Sequence, residues 1–240
     1  MNPAIRVLLF GVLVGLGAAG CAPPESRQAD ARRELVFERL GREIAARQPG
    51  AKVLVVGNPY AARPGAEASI RTAEEASVRG LRRGLGKGAE SVGVAHPRLR
   101  PEAESDPQSV SIPVGASTPL SFLTAMGAWD RLREGNPGAT VWVSLIGFPA
   151  DLAETAAWKD PRGPKWVMFL PDWRILGSTA AVGAAFSEGR LLMAVMSRPG
   201  APPESESMLA DREAEFERRH VLVTAETLER VRREWPMLIP

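Results

Sequence analysis

Six short apolar segments, each separated from the next by residues with helical periodicity, constrain this chain more than any other feature. The segments are 52–57, 91–95, 140–147, 165–170, 191–197 and, more weakly, 220–224. Strands that are apolar along their whole length need cover on both faces, and intervening helices provide that cover in a parallel sheet. We therefore expect an α/β fold: a three-layer, doubly wound, mostly parallel sheet of about five to six strands flanked by helices.

The residues between these segments predict the helices and the domain boundaries. Helical patterns cover 30–48, 65–85, 119–133, 151–158, 178–188, 207–219 and 225–234. No linker-like break interrupts the chain after residue 52, which predicts a single α/β domain over 30–240. The proline-rich stretch 97–117 is longer than most connections, so we expect either a functional flap or a plain excursion.

The N-terminus has the three parts of a secretory signal peptide: Arg6, an apolar run from Val7 to Ala19, and small residues before Cys21. The apolar run is shorter than the roughly 20 residues that a membrane-spanning helix needs. The sequence Ala18-Ala19-Gly20-Cys21 after Leu16 resembles the bacterial lipobox, with Ala18 where that family usually has Leu.

The lipobox resemblance implies cleavage of residues 1–20 and acylation of Cys21, which would anchor the chain in a lipid bilayer. Residues 21–29 would then be the lipidated cysteine and a short tether. The chain would lie in the cell envelope, facing the periplasm or the exterior. The alternative is a plain signal peptide with a chance cysteine.

Composition excludes several function classes. One cysteine and two histidines rule out a Cys-rich zinc site or a CxxC redox pair, and no cofactor or metal is expected. The net charge of +2 and the predicted export argue against a nucleic-acid partner. Glu102, Glu104 and Asp106 alternate in the long loop without a calcium-binding motif, so we expect them to be solvated.

Four stretches are similar to parts of one lobe of the type I periplasmic binding proteins. They are KVLVVGNP (52–59), VWVSLIGFP (141–149), FSEGRLLMAVMSRP (186–199) and FERRHVLVTAETLERV (216–231). The resemblance implies an α/β sheet and a role in ligand binding, although the chain is too short for the two lobes of that family.

Candidate binding residues follow from the rule that ligands of a parallel sheet bind beyond the carboxyl ends of its strands. The residues at the predicted ends are Asn58, Tyr60, His96, Asp172, Trp173 and Arg198. Tyr60 and Trp173 could stack on a planar ligand, while the polar side chains supply hydrogen bonds. The alternative for each is an ordinary turn or cap residue.

Because catalytic side chains are scarce, we expect a non-enzymatic ligand-binding or interaction module of the cell envelope. Its partner would be a small molecule or another envelope protein. Two alternatives stay open. One is a hydrolase-like enzyme that uses His96 as a base, with Asp172 as its orienting carboxylate. The other is a purely structural envelope lipoprotein.

Overall fold

A computed structural model describes residues 24–239, with side chains from Ser26 onward. Six strands form one sheet in the order β2-β1-β3-β4-β5-β6. Their bounds are β1 Lys52–Val56, β2 Glu90–Ala95, β3 Val141–Ser144, β4 Lys165–Phe169, β5 Leu191–Ser197 and β6 His220–Val223. The first five strands are parallel and β6 is antiparallel to β5. The predicted fold class, a mostly parallel three-layer α/β sheet, is confirmed.

Helices cover both faces of this sheet. They are α1 Pro24–Arg47, α2 Ala68–Leu85, α3 Pro101–Ser105, α4 Pro119–Phe122, α5 Ala128–Gly135, α6 Ala156–Lys159, α7 Thr179–Ser187, α8 Arg212–Arg219 and α9 Leu228–Glu234. Phe37 of α1 contacts Phe169 at the end of β4. Trp129 of α5 stacks on Trp166 of the same strand. Since residues 166 and 169 are three apart, they point to opposite faces of the sheet.

Small residues bring α1 and α2 into close contact. A Cβ atom at Gly80 would lie 2.1 Å from the carbonyl oxygen of Glu34, and one at Gly84 would lie 2.1 Å from that of Glu38. The two helices therefore run parallel with their backbones almost touching. This packing brings the N-terminal half of α1 to the carboxyl ends of the strands.

The predicted tether is partly wrong. Helix α1 begins at Pro24, six residues before the predicted start, so residues 24–29 are helical. Proline fits the first turn of a helix because its missing N–H would have no intrahelical acceptor there. The predicted signal peptide and Cys21 lie outside the described residues. No helix within residues 24–239 has the length and apolar character needed to cross a membrane.

The helix predicted over 119–133 is broken in two. Gly127 adopts φ +66°, and its N–H donates to Asp151 at 2.8 Å. A left-handed residue cannot continue a right-handed helix, so α4 ends before it and α5 starts after it.

Other predicted helices also begin later than expected, including α2, which starts at residue 68 rather than 65. Asp130 of α5 accepts the backbone N–H groups of Ala156 and Ala157, which sets the start of α6 beyond the predicted residue 151. Asp211 caps α8 through the N–H groups of residues 213 and 214, so that helix starts at residue 212 rather than 207. Helix α9 starts at residue 228 rather than 225.

The proline-rich stretch 97–117 contains helix α3 and a short 3-10 turn, Pro107–Ser109. Leu99 and Ala103 from this stretch are buried together with Leu123, and Tyr60 packs against them. The Tyr60 hydroxyl donates to the carbonyl oxygen of Ala103 at 2.9 Å. The stretch is therefore a folded excursion with its own small core.

Candidate functional site

The strand order changes direction between β1 and β3, because the chain moves outward from β1 to β2 and then returns past β1 to β3. Connections at the carboxyl ends diverge at such a switch point and leave a crevice. A cavity of about 320 Å³ lies there. Its lining residues are Arg33, Asn58, Ser69, Ile70, Ala73, Glu74, Leu120, Leu145 and Ile146. We call this cavity the switch-point cleft.

At the wall of the cleft, Glu74 of α2 hydrogen bonds to the residues that follow β1 and β2. One carboxylate oxygen accepts the backbone N–H of Asn58 at 2.7 Å. The other is 2.9 Å from Nε2 of His96. A Cβ atom at Gly57 would lie 2.2 Å from the Glu74 carboxylate. Only glycine leaves room for this carboxylate beside β1.

Arg33 reaches the cleft from α1 and is held on two sides. Its Nε donates to Ser77 Oγ at 2.7 Å, and its guanidinium carbon lies 5.1 Å from the centre of the Phe169 ring. Burial lowers the pKa of Arg33, while the nearby carboxylates of Asp30 and Glu74 oppose that shift. Within residues 24–239, its two terminal nitrogens, Nη1 and Nη2, have no hydrogen-bond or ion-pair partner.

A second cavity of about 240 Å³ lies on the other side of Arg33, at the carboxyl ends of β4 and β5. We call it the β4–β5 cavity. Arg33 and Ala73 line both cavities. Leu170, which also lines it, adopts φ +48°, a conformation that side-chain-bearing residues rarely adopt away from functional or tightly constrained positions.

His220 also lines the β4–β5 cavity, and its Nδ1 is buried without a hydrogen-bond partner in the described part of the chain. Burial lowers the pKa of His220 to about 4. The ring is therefore neutral at pH 7.

A third cavity of about 380 Å³ follows β6 between α1, α8 and α9. Arg198 lines it and stacks over Trp235, 5.0 Å from the ring centre. Thr227 closes the end of β6: its Oγ1 donates to the carbonyl oxygen of Leu222 and accepts the N–H of Thr224.

The structure separates the six residues predicted at the strand ends. Asn58 lines the switch-point cleft and His96 is bonded to Glu74 at its wall. Tyr60 packs against the small core that residues of the 97–117 stretch form with Leu123. Arg198 lines the third cavity, the one that follows β6.

Asp172 does not orient His96, which corrects the predicted base–carboxylate pair. Its carboxylate is buried against Arg174 at 2.6 Å and also accepts the N–H of Ser117. Hydrogen bonds from Arg174 hold the pKa of Asp172 below its usual value, although burial opposes them. The carboxylate beside His96 is Glu74.

Trp173 does not offer a stacking surface at the strand ends. It is 4% exposed and packs between Phe148 and Phe186 in the aromatic core. The predicted pair of stacking rings, Tyr60 and Trp173, is therefore absent from the described structure.

Sequence reasoning missed Arg33 and Glu74, which both lie on helices. The prediction used only residues that directly follow a strand. It therefore did not include side chains on helices that reach the carboxyl ends of the strands. One signal was present: a glycine directly after a buried strand, Gly57, often indicates that another group approaches the backbone closely.

No protein-family model matches this chain, and no curated protein matches it. Three solved structures illustrate what it is similar to. A sugar ABC transport system substrate-binding protein from Bordetella parapertussis is 17% identical with a TM-score of 0.42, over 68% of this chain and 41% of that one. A carbohydrate transporter solute-binding protein from Agrobacterium radiobacter, in complex with D-arabinose, is 13% identical with a TM-score of 0.42, over 90% and 64%.

The third is a periplasmic ribose ABC transporter structure from Conexibacter woesei, 14% identical with a TM-score of 0.44, over 82% of this chain and 60% of that one. The chain spans less than two thirds of the length of each of these proteins.

Proposed function

We propose that this protein binds a small molecule, without chemical conversion, in the switch-point cleft. The observation behind the proposal is a cavity of about 320 Å³ at the carboxyl ends of β1 and β3. Cavities of this size and position are the usual ligand sites of parallel sheets. The lining combines four apolar side chains with a few polar groups, the mixture expected of a binding pocket: Ile70, Leu120, Leu145 and Ile146 with Arg33, Asn58 and Glu74.

The hydrolase alternative has one observation in its favour, the contact of 2.9 Å between His96 and Glu74. A nucleophile would have to lie beside His96 for acyl or phosphoryl transfer. The one hydroxyl among the residues that line the cleft, Ser69, hydrogen bonds to Glu67 instead. His96→Ala should therefore leave any esterase, phosphatase or glycosidase activity of the preparation unchanged. Loss of such an activity in this variant would favour the enzyme.

The binding proposal is tested on the chain without residues 1–20 and with Cys21→Ser. Calorimetry and thermal shifts against sugars, amino acids and cell-wall fragments should find ligands that raise the melting temperature. Ile70→Trp fills the cleft and should abolish that binding. Val114→Trp is the control, because Val114 is 96% exposed and outside the cleft. If wild type and Ile70→Trp bound a ligand equally well, the ligand site would not be the switch-point cleft. If no compound of the library bound, the proposed binding function would be contradicted.

We also propose that the protein is exported and anchored by lipid at Cys21. Arg33 lies at the level of the strand ends, where it contacts Phe169. Helix α1 extends nine residues beyond Arg33 to Pro24, about 13 Å at 1.5 Å per residue. An anchor three residues before Pro24 would hold the edge of the sheet that contains the cleft toward the bilayer.

The anchor is tested by fractionation of cells that are fed a labelled fatty acid. The wild-type chain should sediment with membranes and take up label, whereas Cys21→Ser should do neither. A wild-type chain that is released without label would show that residues 1–20 act as a plain signal peptide.

A further inference from the structure

Within the described residues, Arg33 leaves both of its terminal nitrogens without a protein acceptor, whereas Arg32 and Arg219 use theirs. Arg32, the preceding residue, donates from Nη1 and Nη2 to the carbonyl oxygens of Glu204 and Glu206. Arg219 binds Glu215 and the carbonyl oxygen of Pro202. Arg33 uses only Nε, which donates to Ser77, and leaves Nη1 and Nη2 without partners within the described residues.

The contacts of Arg33 fix its orientation. Ser77 Oγ, which accepts from Nε at 2.7 Å, is itself held because it donates to the carbonyl oxygen of Ala73 at 2.9 Å. One face of the guanidinium lies over the Phe169 ring. A guanidinium fixed at Nε and on one face presents its two terminal nitrogens as a rigid pair of donors, which matches the two oxygens of a carboxylate or phosphate.

The protein's own carboxylates do not use this pair of donors. Both Glu74 oxygens are engaged, one by the Asn58 N–H and the other by His96. Asp30 acts on Arg33 through its charge, without an ion pair within 4.0 Å. Arg33 is partly buried at the walls of both cavities, so its two terminal nitrogens are available to an anionic group that enters the cleft.

The rest of the cleft selects the remainder of the ligand. Ile70, Leu120, Leu145 and Ile146 form its apolar wall. A free sugar would place hydroxyl groups against this wall without hydrogen-bond partners, at a cost in free energy. A short hydrocarbon or aromatic group would bury apolar surface there instead.

We infer that the ligand of the switch-point cleft is a small organic oxyanion, a carboxylate or a phosphate ester with a short apolar body, whose anionic group is bound by Nη1 and Nη2 of Arg33. This inference rests on the proposed function, since it names the chemical class that the cleft binds. The apolar body lies against the aliphatic wall, and the anionic group lies between the switch-point cleft and the β4–β5 cavity.

Matched ligand pairs test the inference by calorimetry on the Cys21→Ser chain without residues 1–20. The probes are hexanoate with hexanamide, hexyl phosphate with hexanol, and benzoate with benzamide. Each anion should bind at least about tenfold more tightly than its neutral partner, as expected for one charge-assisted bidentate contact. The carboxylate and phosphate series distinguish the two possible anionic groups.

Arg33→Gln should lose that tenfold preference, and Arg33→Lys should recover only part of it because an ammonium lacks the planar pair of donors. Arg42→Gln is the matched control on the same helix, since Arg42 is half-exposed and pairs with Glu213 away from the cleft. Equal affinity of anions and neutral partners would overturn the inference and leave the proposed function standing. If none of the matched pairs bound, and no sugar, amino acid or cell-wall fragment bound either, both the inference and the proposed function would be overturned.

Thermal unfolding of the ligand-free protein separates a binding role of Arg33 from a structural one. In the free protein Arg33 makes the Ser77 hydrogen bond and the Phe169 contact only, so Arg33→Met should change the melting temperature by less than about 5 °C. Arg219→Met, which removes a saturated arginine, should lower it. A fall of more than about 5 °C in Arg33→Met would show that the guanidinium supports the fold, and would overturn the inference.

Discussion

At the residue scale, the two histidines have different environments. His96 is partly exposed and bonded to a carboxylate, whereas His220 is mostly buried at the start of β6. Burial lowers the pKa of His220 from 6.5 to about 4, against the opposing charges of Glu204 and Glu215. The folded protein therefore binds this proton only near pH 4, while the unfolded chain binds it near pH 6.5.

This difference predicts a pH-dependent free energy of unfolding. The contribution of a neutral His220 is complete above pH 6.5 and is lost as the pH falls from 6.5 toward 4, because the unfolded state then binds more protons. Between pH 7.5 and 5.0 the loss should be about 2 kcal/mol. Urea unfolding at the two pH values measures it, and His220→Gln should remove most of the difference. A variant with the same pH dependence as the wild type would contradict this assignment.

Glu215 is a buried carboxylate that pairs closely with two arginines, while a third, Arg32, lies 3.8 Å away. It is 0% exposed and contacts Arg218 and Arg219 at 2.5 and 2.6 Å. Burial raises its pKa, but the Leu209 N–H and the two arginines together hold it below the usual value. Its stabilising contribution is therefore present above its ordinary pKa and is lost only in stronger acid.

Glu215→Gln should lower the free energy of unfolding by about 3 kcal/mol at pH 7, since it leaves Arg219 buried beside an uncharged group. Glu217→Gln is the control on the same helix, because Glu217 is exposed and should change stability by less than about 0.5 kcal/mol. Urea unfolding of both variants measures the difference. Equal effects would show that the charge of Glu215 is not what matters.

At the element scale, the contact between α1 and α2 depends on the absence of side chains. Gly80→Ala would place a methyl group 2.1 Å from the Glu34 carbonyl oxygen, where backbone must move. We expect a loss of about 1–3 kcal/mol from overpacking, against a gain of up to about 1 kcal/mol in helix propensity.

Gly183→Ala is the matched control for this substitution. Gly183 lies within α7, and the nearest atom to its added Cβ is Arg232 Nη1 at 3.9 Å. It should therefore raise the free energy of unfolding through helix propensity alone. Thermal melts of the two variants should shift in opposite directions. A shift in the same direction would mean that the two helices can separate without cost.

At the scale of the whole molecule, one core connects both faces of the sheet. Phe37 and Leu40 of α1, and Trp129, Trp142 and Trp166 on the other face, belong to the same buried cluster. A domain that extends over 30–240, as the sequence predicts, should unfold in one transition.

Tryptophan fluorescence and circular dichroism test that prediction, because they report on different parts of the fold. Five of the six tryptophans pack in the aromatic core on the side of α5, α6 and α7, while α1 and α2 are the longest helices and lie on the other face. The two signals should change at the same urea concentration. Separate midpoints would show that the faces unfold independently and would contradict a single domain.

The sequence by itself determined the class of fold and the positions of the strands. All six predicted strands are present, with bounds that differ by at most three residues at either end. Strand and helix periodicities are local properties, and an apolar run bounded by Gly or Pro needs no distant partner to be recognised. Helix starts were less predictable, since α6 is capped by Asp130 from another helix.

Only the tertiary structure decided the site. The strand order places β1 between β2 and β3, and this order creates the switch-point cleft. Arg33 and Glu74 meet there from helices that are separated by a strand in the sequence. Their proximity depends on the backbone contact at Gly80 and Gly84, which brings α1 alongside α2. Periodicity shows which face of a helix is apolar, but it contains no information about which other helix that face will contact.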